Sequence, residues 1–237
     1  MAKVYKQINP NRLRRRGMRA GAAVCALAAA ACVACACVFR REIFLLLCLT
    51  AALGFSAWRL AGRAAVLQSG LAGEEAAAKA LAGLPASYTV LCNVPVQVGG
   101  RRTELDAVAV GPGGVFIVEV KNHAGSIIGE ADAPQWRQTR AGKGGRPINK
   151  MMANPLVQNR RQVELTRRLL EGEGVRCPVT GCVYFANSYI TVHVRGAASV
   201  FTSAREMCRA IEKTPRAVSP AEAQRAVRAF GRAHLSV

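Results

Sequence analysis

Residues Glu104 to Lys121 read ELDAVAVGPGGVFIVEVK, in which two short apolar, β-branched runs, Leu105 to Val110 and Val115 to Val120, flank Gly111-Pro112-Gly113-Gly114. Such runs around a Gly/Pro cluster predict two strands joined by a tight hairpin turn. Three charged residues interrupt the pattern, Asp106, Glu119 and Lys121. A charge in a half-buried strand is costly unless something pairs with it, so these three are the candidates for chemistry. The two-residue period of a strand puts Glu119 and Lys121 on one face, and the hairpin can bring Asp106 alongside them.

Two carboxylates and an ammonium would then converge. Carboxylates are the hard oxygen ligands that Mg²⁺ takes, one or two from protein and the rest from water and substrate phosphate. Such an ion lowers the pKa of a water, and the lysine could orient that water or stabilise charge developing during phosphoryl chemistry. The competing reading is a solvated hairpin edge with an internal Glu119–Lys121 ion pair. The rest of the chain has to decide between them.

The chain has 237 residues, 51% hydrophobic and 20% charged, with a formal net charge of +19. That length holds one domain of ordinary size plus an extra segment. Residues 1–63 carry about +10 of the charge and the remainder about +9, so both parts are basic. A basic domain points to a polyanionic partner, nucleic acid or an anionic membrane surface. The nine cysteines are odd in number, lack a repeated spacing and partly sit in apolar stretches, which argues for free thiols in a reducing compartment. Cys177 and Cys182 have no His cluster near them and do not read as a zinc site.

Residues 1–19 form a strongly basic tail ending near Arg12-Leu13-Arg14-Arg15-Arg16, followed by two uncharged apolar runs, Gly21 to Phe39 and Ile43 to Trp58, which place two helices within residues 20–60 at about 20–39 and 43–60. Each is near the lower length limit of a membrane-spanning helix, and together they predict a transmembrane helical hairpin. The basic tail favours a cytoplasmic N-terminus, Arg59 and Arg63 favour a cytoplasmic exit, and Trp58 suits the interface. Arg40-Arg41 would form the outer loop. A cleaved signal peptide does not account for the second run. A single span with the domain outside is the competing reading, because residues 21–37 are only weakly hydrophobic. The charge asymmetry of the loops favours two spans, giving a multi-pass protein of the cell membrane with its domain in the cytoplasm.

Residues 61–71 read as a linker. Ala72 to Ala82 predicts a helix ended by Gly83 and Pro85, with Glu74, Ala77, Ala78 and Leu81 on one inward face. Glu74 on that face either caps the helix start or reaches a metal. Tyr88 to Val98 predicts a strand leading into the hairpin, and Ser126 to Gly129 a short strand. His123 reads as a turn residue. Trp136 to Lys150 reads as a flexible basic loop bearing Arg137, Arg140, Lys143, Arg146 and Lys150, a candidate phosphate cradle. Trp136 is placed either to stack on a base or to fill the core.

Asn154-Pro155 predicts a helix start, with Asn154 as cap. Leu156, Val163 and Leu170 form its apolar stripe. Asn159 lies within that stripe between Gln158 and Gln162, where amides need partners in the backbone, the site or the substrate. Arg160 and Arg161 lie further outward, as a phosphate-tracking or simply solvated face. Pro178 to Phe185 and Tyr189 to Val194 predict strands, and Ser203 to Glu212 and Ser219 to Ala233 helices. The order predicts an α/β domain with a central mixed sheet flanked by helices.

Gly73-Glu74 at a helix start, the 104–122 stretch, Trp136 and Asn154-Pro155-Leu156-Val157-Gln158-Asn159 together resemble the nuclease-related domain family, NERD. The resemblance covers about residues 70 to 190, within a domain placed at 72–200 and followed by C-terminal helices over 201–237. That family is similar to the PD-(D/E)xK nucleases of the restriction-endonuclease-like fold. The resemblance implies Asp106 and Glu119 as metal ligands, Lys121 as catalytic lysine, Glu74 as the upstream helix acid and Gln158 as a supporting catalytic residue. It also implies Mg²⁺ or Mn²⁺ and phosphodiester hydrolysis in DNA. Leu105 stands where the motif's name has proline, so the motif is matched only loosely, while the charged trio is intact.

The expectation is therefore a membrane-anchored, metal-dependent nuclease. Nucleic acid would be held by Arg137, Arg140, Lys143, Arg146, Lys150, Asn159, Arg160 and Arg161, and a homodimer would bring two sites to two strands. The alternative is a non-catalytic membrane-tethered module that binds nucleic acid through the same basic groups.

Overall fold

The 104–121 hairpin forms the middle of a six-stranded sheet in the computed structural model, which describes residues 1–7, 9–38 and 42–235. The expected outer loop at Arg40-Arg41 lies outside the described residues, as do residues 236–237 and the side chains of Lys143 and residues 232–235. In chain order the elements are β1 (Lys3–Lys6), α1 (Pro10–Val38), α2 (Ile43–Ala82), β2 (Thr89–Val98), β3 (Arg101–Gly111), β4 (Gly114–Lys121), β5 (Gly125–Glu130) and β6 (Gln135–Ala141). There follow β7 (Pro147–Ala153), α3 (Pro155–Gly172), β8 (Val179–Phe185), β9 (Ile190–Arg195), β10 (Val200–Phe201), α4 (Ala204–Glu212) and α5 (Pro220–Leu235).

Residues 9–71 make one compact unit, and the N-terminal strand with residues 72–237 makes the other. In the first, α1 and the start of α2 are long and apolar enough to cross a membrane. Their large apolar side chains, including Leu27, Phe44, Leu45, Phe55 and Trp58, are exposed, as lipid-facing residues would be. The segment expected as a linker is helical, because α2 continues without a break from Ile43 to Ala82. Its alanines and leucines favour helix throughout.

The second unit holds two mixed sheets flanked by helices. The larger has strand order β1-β2-β3-β4-β8-β10, and the smaller β7-β6-β5-β9. One core layer lies between the large sheet and α2 and α4, with Ala77, Leu81, Val90, Phe116, Met207 and Ile211. The opposite layer packs α3 and α5 through Val163, Leu170, Ala226 and Phe230 against Val108, Val110 and Ile117. The small sheet has its own core around Ile127, Trp136, Leu156 and Phe185.

Two expectations are corrected. Residues 3–6, expected within a basic tail, form a parallel edge strand from Lys3↔Thr89 to Lys6↔Cys92. The expected mixed sheet flanked by helices is present, and a second, smaller sheet accompanies it, in which β5 pairs with β6 and β9 rather than with the hairpin. The basic loop is a β-hairpin, β6 and β7 pairing from Gln135↔Ala153 to Ala141↔Pro147. Its alternation was hidden because β7 has polar and apolar residues alike exposed, so no hydrophobic period marks the strand.

Candidate active site

The β3–β4 ladder runs from Gly111↔Gly114 to Ala107↔Val118 and ends there, whereas β4 stays paired with β8 as far as Lys121↔Phe185. The two strands of the hairpin therefore part at Asp106 and Glu119. At the fork Asp106 Oδ2 accepts the backbone N–H of Val120 at 2.8 Å, so a side chain takes the place of the next ladder bond.

Strand β2 bends at the same level. Its pairs Cys92↔Ala107 and Val94↔Leu105 bracket Asn93, which has φ 59°. Val90, Cys92 and Ala107 pack in the layer with α2 and α4, while Val94, Val96 and Leu105 pack in the layer with α3 and α5. A regular strand would keep residues 90, 92, 94 and 96 on one face. The left-handed residue breaks the alternation beside the fork.

Helix α3 supplies the floor. Asn154 caps it by accepting from Leu156 N at 2.8 Å and donates to the carbonyls of Ala131 and Ala133 at 3.0 and 2.6 Å, which fixes the helix start. One turn on, Gln158 Oε1 accepts from Lys121 Nζ at 3.1 Å. Lys121 Nζ also donates to Glu119 Oε1 at 2.5 Å. Glu119 is only 1% exposed, and its other oxygen, Oε2, accepts from Gln162 Nε2 at 2.7 Å. The same amide reaches the carbonyl of Glu104 at 3.3 Å. Gln162 thus ties both arms of the fork to α3.

Glu74 enters from α2, half-buried as its inward face requires. Its approach depends on Gly73, where a Cβ would lie 2.8 Å from Asn122 Cβ; an alanine would push the helix off the end of β4. Asn93 Nδ2 donates to Glu74 Oε2 at 2.9 Å. The acids feel one another. Burial, then Glu119 and, more weakly, Glu74 raise the Asp106 carboxyl to about 8, against the Val120 amide and Lys121, which lower it. Burial and the neighbouring acids outweigh the Val120 amide and Lys121 at this carboxyl.

The donor set fits a divalent ion. Among the described residues no three His, Cys, Asp or Glu side chains cluster tightly enough to hold an ion alone. A Mg²⁺-type shell needs only one or two carboxylates, with water and phosphate oxygens completing it. Asp106 and Glu119 are the pair whose charge such an ion would offset.

The basic residues divide by face. By alternation Arg140 and Lys150 share the Gln138 face of the β6–β7 hairpin, and with Lys121 they add to burial in holding His123 below its ordinary pKa. His123 is a half-buried member of that cluster, more than the turn residue expected. Arg137 is one residue from the buried Gln138 and so lies on the opposite face by alternation, paired with Met151 and exposed. Arg146 is exposed beside the hairpin tip, and Arg161 is exposed on α3 one turn beyond Gln158. Arg160 is engaged with Asp132 at 2.9 Å and with the Ala131 carbonyl. The side chain of Lys143 lies outside the described residues.

One expectation is overturned by burial. Asn159, expected to contact nucleic acid, is 3% exposed and donates to the Ile117 carbonyl at 3.1 Å. It fits against Gly181, where an added Cβ would lie 2.0 Å from its Oδ1. Of the two places expected for Trp136, it takes the core of the small sheet at 0% exposure, donating Nε1 to the Glu130 carbonyl. Two residues were missed. Gln162 is four residues past Gln158 on the same face, a legible spacing. For Asn93 the only signal is an asparagine in an otherwise apolar strand, the residue type that best tolerates positive φ.

Residues 69–186 match the family described as nuclease-related domain, NERD. A Bacillus anthracis protein described as uncharacterized is 36% identical over 104 residues, covering 43% of this chain and 47% of that protein. The chain thus spans about half the length of this relative. No solved structure matches it.

Proposed function

Because residues 69–186 place the chain in the nuclease-related domain family, we propose that it is a membrane-anchored, divalent-metal-dependent nuclease that hydrolyses phosphodiester bonds in DNA. One observation carries the reading. Glu74, Asp106, Glu119 and Lys121 converge where β3 and β4 part, with Lys121 Nζ held between Glu119 Oε1 at 2.5 Å and Gln158 Oε1 at 3.1 Å.

In this reading Asp106 and Glu119 hold the ion and Glu74 adds a third negative charge to the site. A bound Mg²⁺ or Mn²⁺ would supply Lewis-acid activation of the scissile phosphate and of a water. Lys121 has three donors, and two are directed at Glu119 and Gln158. The third is free to orient an attacking water or to stabilise charge growing on a phosphate oxygen. Gln162 holds the Glu119 carboxylate in its orientation. Arg140 and Lys150 offer the backbone phosphates a cationic wall beside Lys121.

The pairing of β1 with β2 supports the cellular arrangement. The chain leaves the sheet after β1, passes through both apolar helices and returns to the same sheet at β2. Both ends of that excursion lie on one side of any membrane, which calls for an even number of crossings. With the basic N-terminal residues, this favours two spans and a cytoplasmic domain.

The full chain is the form to assay, since a fragment starting after α1 lacks β1. Purified in detergent and given defined DNA and RNA with Mg²⁺, Mn²⁺ or EDTA, it is expected to cut DNA only with metal. Binding without cleavage under every metal condition would leave the non-catalytic module as the correct reading.

A further inference from the structure

We propose that Asn93 is a positioning residue of the acidic site, holding the Glu74 carboxylate toward Asp106 and Glu119 through its Nδ2 hydrogen bond of 2.9 Å. The inference rests on the reading of this site as a divalent-cation centre.

Three observations converge on Asn93. It is the one non-glycine residue with positive φ among the described residues, a conformation that is strained inside a strand. It lies directly across β2 from Asp106, between the pairs Cys92↔Ala107 and Val94↔Leu105. The side chains before and after it pack into opposite core layers, so the backbone reversal turns the residue at 93 out of the regular alternation and lets its amide meet α2.

A bend serving packing alone would be met by glycine, which takes φ 59° without strain. Asparagine adds an amide donor aimed at a carboxylate. That choice suits a cation site. A lysine or arginine here would place a positive charge beside Glu74, whereas a neutral amide fixes its position without adding one.

The test is a Mn²⁺ titration of the full chain in detergent, reading free Mn²⁺ by electron paramagnetic resonance. It compares wild type, Asn93→Gly, Glu74→Gln and the double variant. Asn93→Gly keeps the backbone conformation and removes only the amide. It is expected to weaken Mn²⁺ binding about tenfold with the fold retained by circular dichroism, and to weaken it less than about twofold in the Glu74→Gln background. Wild-type affinity in Asn93→Gly, an equal loss in both backgrounds, or loss of the fold in Asn93→Gly would each overturn the proposal, the last two by making Asn93 a purely structural residue. A wild-type chain that binds no Mn²⁺ would instead overturn the reading of the site as a metal centre, and the inference with it.

Discussion

Asp106 Oδ2 accepts the amide of Val120 at 2.8 Å immediately beyond the last ladder pair, Ala107↔Val118. The bond does two things. It satisfies a backbone donor that the parting strands would otherwise leave unpaired, a loss worth about 1–3 kcal/mol when buried, and it pins the carboxylate at the fork. Strand separation and acid placement are therefore one structural event, and the predictions below follow from it.

The Asp106 carboxyl is raised from 3.8 to about 8 by burial and by Glu119. An acid with a raised folded pKa binds its proton more tightly in the folded state, so its contribution is fully present below the unfolded pKa and is lost as pH rises toward the folded one. Metal-free protein should lose stability between about pH 4 and pH 8. Asp106→Asn keeps an acceptor for Val120 and cannot ionise. In EDTA at pH 8 it should melt on the order of 5 °C above wild type, and the two should converge near pH 4. Saturating Mn²⁺ should narrow the gap at pH 8.

Gln162→Leu removes the amide that donates to Glu119 Oε2 at 2.7 Å and leaves that oxygen buried without it. The variant should lose about 1–3 kcal/mol of stability and, with Glu119 no longer oriented, at least about tenfold in cleavage rate. Denaturant unfolding and a cleavage time course measure the two effects separately.

Arg140 and Lys150 lie on the Gln138 face of the β6–β7 hairpin and Arg137 on the other. Arg140→Ala and Lys150→Ala should each weaken DNA binding across sequences and reduce the salt slope by about one. Arg137→Ala should leave the slope unchanged. Fluorescence anisotropy in EDTA over a salt series distinguishes them.

How much of this was legible in the residues differs from site to site. The hairpin, the capped α3 and the inward face of Glu74 follow from alternation, Asn-Pro capping and helical spacing, and all depend on neighbours close in sequence. The second sheet was not legible, because β5 finds β9 across more than 60 residues and nothing local records that choice. The β6–β7 hairpin was hidden because β7 exposes polar and apolar residues alike. Asn159 and Arg160 are adjacent, yet one is buried against Ile117 and Gly181 and the other is exposed. Periodicity had placed Asn159 on the apolar stripe, and assigning it to nucleic acid went against that pattern. Asn93 and Gln162 act through contacts from other elements, so their roles appear only when the strands part.

The pairing of β1 with β2 has a cellular consequence. Short tags placed at Met1 and after Val237 should face the same side of the membrane, the cytoplasm, and both should be cut by protease in inverted vesicles and spared in intact cells. Tags on opposite sides would contradict two spans.

The central claim is that the fork is a catalytic centre. The most direct measurement is metal-dependent DNA cleavage by the full chain beside Asp106→Asn and Lys121→Met, with melting curves recorded on the same samples. Wild type should cut in Mg²⁺ or Mn²⁺, and each variant should fall by at least about a hundredfold while remaining folded. Folded variants that cut at the wild-type rate would contradict it.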